Sequence, residues 1–420
     1  MSAVVFRNAR LLDPQAETLE EGGLVVEHGH IVDIGHDVKG AKGTRIIDAA
    51  GLVLAPGMID STTFAIDRIA ALAGGITSIL LMPDASRPPI DRASMVQLFL
   101  KGPHERDWAG PRVYPTGAAT QGLDGAAMAE LGLMAEAGAP AFSDGNRTIG
   151  NAGLMRRLLA HAARFERPVI QKPEDPALAR CGVMHEGATA ARLGLPGIPA
   201  EAEALIIERD ARLARASGGH VHFAPLATAE GLASLTRLKD EGAPVTAATT
   251  PAYFHLNDEA VGDYRTFARL SPPLRSEADR LAIREAVTEG RIDMLCSAHT
   301  PLGEDDKRLP FEEAAPGAIG YETLLPLSLT LVHDGAISLP ALWRMLSLAP
   351  AELLGLPQGR LAIGAPADLI LFDPEFAWRI EAASLHSDTA NTPFDGLPVH
   401  GRTRLAMVGG RILFDERDAL

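Results

Sequence analysis

Six side chains in this sequence are of the types that build a hydrolytic metal site. His220 and His222 stand two apart in HVHFA, His299 lies in CSAHTP, Asp144 in FSDGN, and Glu174 and Asp175 in VIQKPED. Residues two apart on an extended strand share a face, so His220 and His222 look into one space. A hydrolytic zinc takes about three protein ligands from His, Cys, Asp or Glu and keeps a position open for water. Each of these residues also has a plain structural reading. The histidines can be hydrogen-bonded packing residues, SDGN is a turn sequence, and acids in a Pro-bounded loop serve as caps or face solvent. Other chemistries lack their signatures, since GxSxG, GxxxxGK[ST] and HExxH are all absent.

Such side chains work only if a scaffold gathers them. A chain of 420 residues can form more than one core. Residues 1–55 alternate apolar and polar positions between Gly, Asp and Pro, the pattern of short strands. From 56 to 350, short apolar runs such as GITSILLMP, APAFSDG, RPVIQ and HVHFA alternate with longer segments of helical period. Strand followed by helix, repeated, marks a parallel sheet closed by crossover helices. PADLILFDP and RLAMVGGRILFDE then return to strands. The expected fold is α/β: a (β/α)8 TIM-type barrel over 56–350, with a small β-sandwich domain built from both chain ends, 1–55 and 351–420. Barrel chemistry sits at the C-terminal ends of strands. On this count the third strand carries Asp144, the fourth Lys172, Glu174 and Asp175, the fifth His220 and His222, and the eighth His299.

A formal charge of −15 repels phosphate backbones and anionic lipid, which argues against nucleic-acid or membrane partners. There is no apolar run of 18 residues and no basic start leading into an apolar stretch. Cys181 and Cys296 form no CxxC pair and read as reduced thiols, so the expected location is the cytoplasm.

Several segments carry a specific likeness: PGMID (56–60), GGITSILLMPD (74–84), LGLPGIPAEAEALIIERD (193–210), TAEGL (228–232), PPLRSEADR (272–280), EGRIDMLCSAHTP (289–301), GAIGYET (317–323), GRLAIGAPADLILFDP (359–374) and NTPFDG (391–396). Through them the chain resembles the dihydroorotases of the amidohydrolase superfamily over nearly its whole length. The resemblance implies the same barrel and β domain, and it also names the positions of a zinc site. The two histidines that follow PGxID in the family fall on Thr62 and Phe64, and the R-E-P-G substrate loop is absent. The substrate-contacting Asn of MPN is Asp84. A zinc-binding His falls on Lys172 or Pro173, and another on Pro225, while His222 keeps the first histidine of its motif. The catalytic Asp of D-H-A-P-H is Ala298, its final His is Leu302, and His299 remains. Asp144 matches an acid of the S-D-D-G turn, whose second Asp is Gly145.

Thr62, Phe64, Pro225 and Ala298 offer no lone pair suited to zinc, and the Lys172 ammonium repels a dication. Ala298 cannot shuttle a proton, a transfer that contributes about 10²–10⁴ in rate. The resemblance therefore implies a dihydroorotase homologue without catalysis, with no catalytic residue and no metal cofactor. In that class the chain serves as a structural subunit of aspartate transcarbamoylase, as a homo-oligomer or within a larger assembly. The alternative is an active zinc-dependent cyclic amidohydrolase with a rebuilt site on Asp144, His220 and His222. A third expectation is a vestigial pocket that binds a pyrimidine-related carboxylate through Asp84, Lys172, His222, Arg275 and His299.

Overall fold

The computed structural model describes residues 3–41, 43–84, 88–101 and 108–417. The chain opens with β1 (Val4–Asp13), β2 (Thr18–Glu27) and β3 (His30–Gly35), an antiparallel meander. Next, β4 (Arg45–Asp48) and β5 (Val53–Pro56) run parallel to β1. Gly57 then passes the chain into a barrel. A Cβ there would lie 2.1 Å from the Thr77 hydroxyl, which is why PGMID needs its glycine.

The barrel strands are β6 (Met58–Thr63), β7 (Ile76–Leu81), a third position split into β8 (Arg112–Pro115) and β9 (Gly117–Ala118), β10 (Phe142–Ser143) and β11 (Val169–Gln171). After β11 the loop forms its own ribbon, β12 (Met184–His185) with β13 (Gly197–Ile198). β14 (Val221–Phe223), β15 (Val245–Thr249) and β16 (Met294–Leu295) complete the eight positions. Every neighbouring pair is parallel. The circle closes where Thr63 bridges His299 and Phe64 N–H donates to His299 C=O at 3.0 Å.

The third position corrects the strand count. RVYPTGA is short and broken by Pro115, so it reads as loop, yet it joins the two arcs of the barrel. Asp144 therefore follows the fourth strand, Lys172 the fifth, and His220 and His222 lie at the sixth.

The helices follow the expected periodicity. Glu201–Ser217 turns Ala202, Ile206, Ile207, Ala211 and Ala214 inward, a stripe of the 3.6-residue repeat. Glu277–Thr288 starts at a capping box in which Ser276 and Asp279 satisfy each other's backbone N–H. That pairing accounts for the S-E-A-D of its motif.

β17 (Leu369–Arg379), β18 (Pro398–Val408) and β19 (Arg411–Asp415) add antiparallel strands onto β5, so both chain ends share one eight-stranded sheet. Its own core includes Phe6, Leu24, Ile31, Leu369, Leu371 and Leu405. Several ties hold it to the barrel, and three are buried or partly buried. The buried Asp368 of PADL accepts Arg112 Nε at 2.6 Å and Nη2 at 3.1 Å. Trp343 Nε1 donates to Pro56 C=O at 2.8 Å and the ring stacks on Phe372. Ser347 Oγ donates to Gly57 C=O at 2.7 Å. Removing one partner of a buried ion pair costs about 3–5 kcal/mol. The Arg112 side chain is 30% exposed, which lowers that figure. Arg112→Leu should destabilise the protein by about 2–3 kcal/mol in urea unfolding, after this discount for solvent screening.

Candidate functional site

A cleft opens at the C-terminal ends of the barrel strands, and its wall includes Thr62, Phe64, Pro225 and Ala298. These four positions come from the first strand, the loop after the sixth and the end of the eighth. Their meeting in one cleft gives the residue-by-residue likeness a spatial meaning. The rest of the wall is apolar or weakly polar, with Met82, Ala224, Thr250, Tyr253, Thr323 and Phe394. The space open to water is about 60 Å³. Sites for small molecules are typically about 300–1,000 Å³.

Phe64 explains the narrowing. It is 7% exposed and belongs to the apolar filling of the barrel, with Leu80, Met82, Ile170, Ala224 and Cys296. An aromatic ring occupies the position where the resemblance places a zinc-binding imidazole. Thr62 is buried beside it, and its hydroxyl has no hydrogen-bond partner among the described residues. Lys172 is 7% exposed, and its ammonium donates to Glu174 Oε1 at 2.7 Å and Ser271 Oγ at 2.6 Å. The zinc centre implied by the resemblance does not fit this donor set. Among the described residues, no three of His, Cys, Asp and Glu gather closely enough to hold a metal ion.

The alternative trio is not assembled either. Asp144 accepts the backbone N–H of Thr120 at 2.9 Å and its hydroxyl at 2.5 Å, and burial raises its pKa. His220 and His222 both meet the Thr246 hydroxyl, at 2.9 and 2.8 Å. His220 opens toward the opposite, N-terminal end of the barrel beside Ile292 and Met294. Burial pushes His222 down to about 3, so it is neutral at physiological pH.

Among the described residues, none of Asp84, Lys172, His222, Arg275 and His299 lines the cleft. This corrects the expectation of a binding pocket built on them. Asp84 is half-buried just past β7. Arg275 is 2% exposed, donates from Nη1 to Ile198 C=O at 2.8 Å, and accepts Asp258 N–H on its own carbonyl at 2.8 Å. It therefore pins the β13 ribbon. His299 stacks on Tyr321, with centroids 3.8 Å apart and planes 4° apart, and its Nδ1 accepts Gly320 N–H at 3.2 Å. The same Tyr321 hydroxyl donates to Ala65 C=O at 2.8 Å and lies 2.8 Å from Thr63 Oγ1. These contacts hold the shortened turn after β6, where the substrate loop is missing.

Sequence reasoning missed Tyr253, Thr250 and Phe394 as cleft walls. Only Phe394 had a signal, through the NTPFDG motif. Asn391 of that motif donates to Thr300 and Gly317 carbonyls at 2.9 and 3.2 Å and accepts Leu302 N–H at 3.1 Å, which brings Phe394 over the cleft. Gly145 has φ +63°, and a Cβ there would lie 2.1 Å from Pro83 C=O. The turn where the resemblance expects a second Asp is thus closed to any side chain. Ala298 has φ +50°, a left-handed conformation that favours Asn, Asp and Gly.

The barrel and β domain together define an amidohydrolase-type fold. L-hydantoinase from Arthrobacter aurescens superposes with a TM-score of 0.86 at 24% identity, covering 99% of this chain and 97% of that one. Dihydropyrimidinase from Brevibacillus agri gives 0.83 at 20% identity, covering 99% and 95%. The model described as amidohydrolase family matches residues 179–413, and that described as dihydro-orotase-like matches 47–231. A dihydroorotase from Pelobacter propionicus is 38% identical over 98% of this chain and 99% of its own. A dihydroorotase-like protein from Pseudomonas aeruginosa is 38% identical over 97% and 99%. The chain belongs to the dihydroorotase-like branch of the amidohydrolase family.

Two outcomes follow from the site's geometry. A left-handed residue other than Gly, Asn or Asp costs about 1–2 kcal/mol. Ala298→Asn should therefore raise stability by about 0.5–1 kcal/mol in urea unfolding. Burial pushes His299 down to about 3 from its ordinary 6.5. Below pH 6.5 the unfolded chain takes up this proton while the folded chain does not, so stability falls as pH falls from 6.5 toward 3. His299→Phe keeps the stack on Tyr321 and removes the titration. The stability of the wild type should then decline more steeply than that of the variant over this range, by up to about 1.4 kcal/mol per pH unit.

Proposed function

We propose that this chain is a non-catalytic dihydroorotase homologue that acts as a structural subunit of aspartate transcarbamoylase, and so serves pyrimidine biosynthesis without hydrolysing dihydroorotate itself. The observation that carries this reading is Phe64, which seats an aromatic ring where a hydrolase of this family needs a metal. Thr62, Pro225 and Ala298 around it supply neither a metal ligand nor a proton shuttle. The segments that hold the scaffold remain in use: PADL through Asp368, NTPFDG through Asn391, TAEGL and PAEAEA through Thr228 and Glu203. The Glu203 carboxylate accepts Ala227 N–H at 2.9 Å, Thr228 N–H at 2.9 Å and Thr228 Oγ at 2.7 Å. A subunit selected for its surface needs that scaffold and not the ligands. No helix among the described residues is long and apolar enough to cross a membrane.

A second reading, a zinc-dependent dihydroorotase, draws on relatives that carry that name. The purified, chelator-treated chain distinguishes the two. The structural reading expects below a tenth of an equivalent of zinc by mass spectrometry and no turnover of dihydroorotate. It also expects a stable complex with the aspartate transcarbamoylase of the same cell by analytical ultracentrifugation. Stoichiometric zinc with turnover would restore the hydrolase, and absence of any complex would remove the subunit role.

A further inference from the structure

A second cavity among the described residues is larger than the cleft above β6. It lies at the N-terminal end of the barrel and measures about 380 Å³, within the range of small-molecule sites. We propose that it binds a small heteroaromatic molecule that carries a hydrogen-bond acceptor and no negative charge. Its walls are mainly apolar, with Val287, Ile292, Met294, Ile337, Met345 and Leu353. Two of these are methionines, whose thioethers pack well against aromatic rings. Met345 comes from a π-helical turn, Arg344–Leu348, a backbone form that recurs at functional sites.

Most charges at the rim are matched in pairs, and the exposed Glu17 has no ion-pair partner among the described residues. Arg344 meets Glu352 at 3.1 Å, and Asp293 meets Lys239 Nζ at 2.6 Å while also accepting Ala247 N–H at 2.7 Å. An anion finds no free counter-charge there, which selects a ligand without negative charge.

His220 and Thr246 supply the polar wall. Thr246 Oγ1 has one proton and two imidazole neighbours, His220 Nε2 and His222 Nδ1. His222 Nε2 is buried without a partner. A buried N–H left unanswered is rarer than an unanswered acceptor, which puts the His222 proton on Nδ1. That N–H donates to Thr246. The Thr246 proton then goes either to His220 Nε2, leaving His220 Nδ1–H as a donor, or to the cavity itself. Both arrangements give the cavity a donor, which an aromatic nitrogen or carbonyl oxygen accepts.

The test is titration of the full chain with quinoline at pH 8, by calorimetry and ligand-observed NMR, with indole as a probe of similar shape that donates only. The wild type should bind quinoline with a Kd below about 1 mM, and indole about tenfold more weakly. Ala341 is an exposed helical residue at the cavity rim. Ala341→Trp should weaken quinoline at least about tenfold, and His220→Phe several-fold, each with a melting temperature close to that of the wild type. No saturable quinoline binding by the folded wild type overturns the site. So does unchanged binding by Ala341→Trp, which places quinoline elsewhere. Equal affinity for indole overturns the assignment of an acceptor-bearing ligand.

Discussion

The closure of the barrel rests on Asp60. Its carboxylate is fully buried and accepts Ser297 N–H at 2.9 Å and Ser297 Oγ at 2.5 Å, so the first strand is fastened to the eighth. Desolvation raises this acid to about 6 in spite of those bonds. A buried carboxylate is costly unless its hydrogen bonds are complete. The Asp60–Ser297 pairing therefore fixes which residues can follow it. One step on, Thr62 and Phe64 must lie at the mouth, and Thr63 must bridge His299. Everything at the cleft inherits its position from this seam.

Much of the fold could be read from residue order, because helices and strands differ in period and the two chain ends share the strand pattern. The third strand could not. Pro115 interrupts RVYPTGA, and only the presence of neighbours on both sides makes it a strand. The site was partly readable. The absence of ligands at Thr62, Phe64, Pro225 and Ala298 follows from their side chains alone, whatever their surroundings. The roles of the remaining polar residues depend on partners far along the chain. Arg275 reads as a candidate anion contact until Ile198 C=O is beside it. His220 and His222 share a strand face as expected, but the strand's depth in the barrel turns His220 toward the other end. Tyr253 had no signal in its local sequence.

The contrast between site and scaffold has a physical basis. Scaffold motifs satisfy buried polar groups: Asp368 with Arg112, Glu203 with the TAEGL turn, Asn391 with three backbone groups. Losing any of them strands a donor or acceptor at about 1–3 kcal/mol, a large share of a marginal stability. The side chains of the cleft positions Phe64, Pro225 and Ala298 make no such bonds. The Phe64 ring buries apolar surface against Leu80, Met82 and Ala224. Ala298 has a left-handed backbone that suits an aspartate, the residue that the resemblance places there.

Gly145 couples the turn after β10 to the loop after β7. With Pro83 C=O only 2.1 Å from where its Cβ would sit, an acid cannot return to the turn until the loop after β7 has moved. The Phe64 ring stands 3.5 Å from the same point, so it closes the other side of the turn. Pro83, Gly145 and Phe64 thus form one packed unit at the mouth of the barrel, which can change only as a whole and not residue by residue.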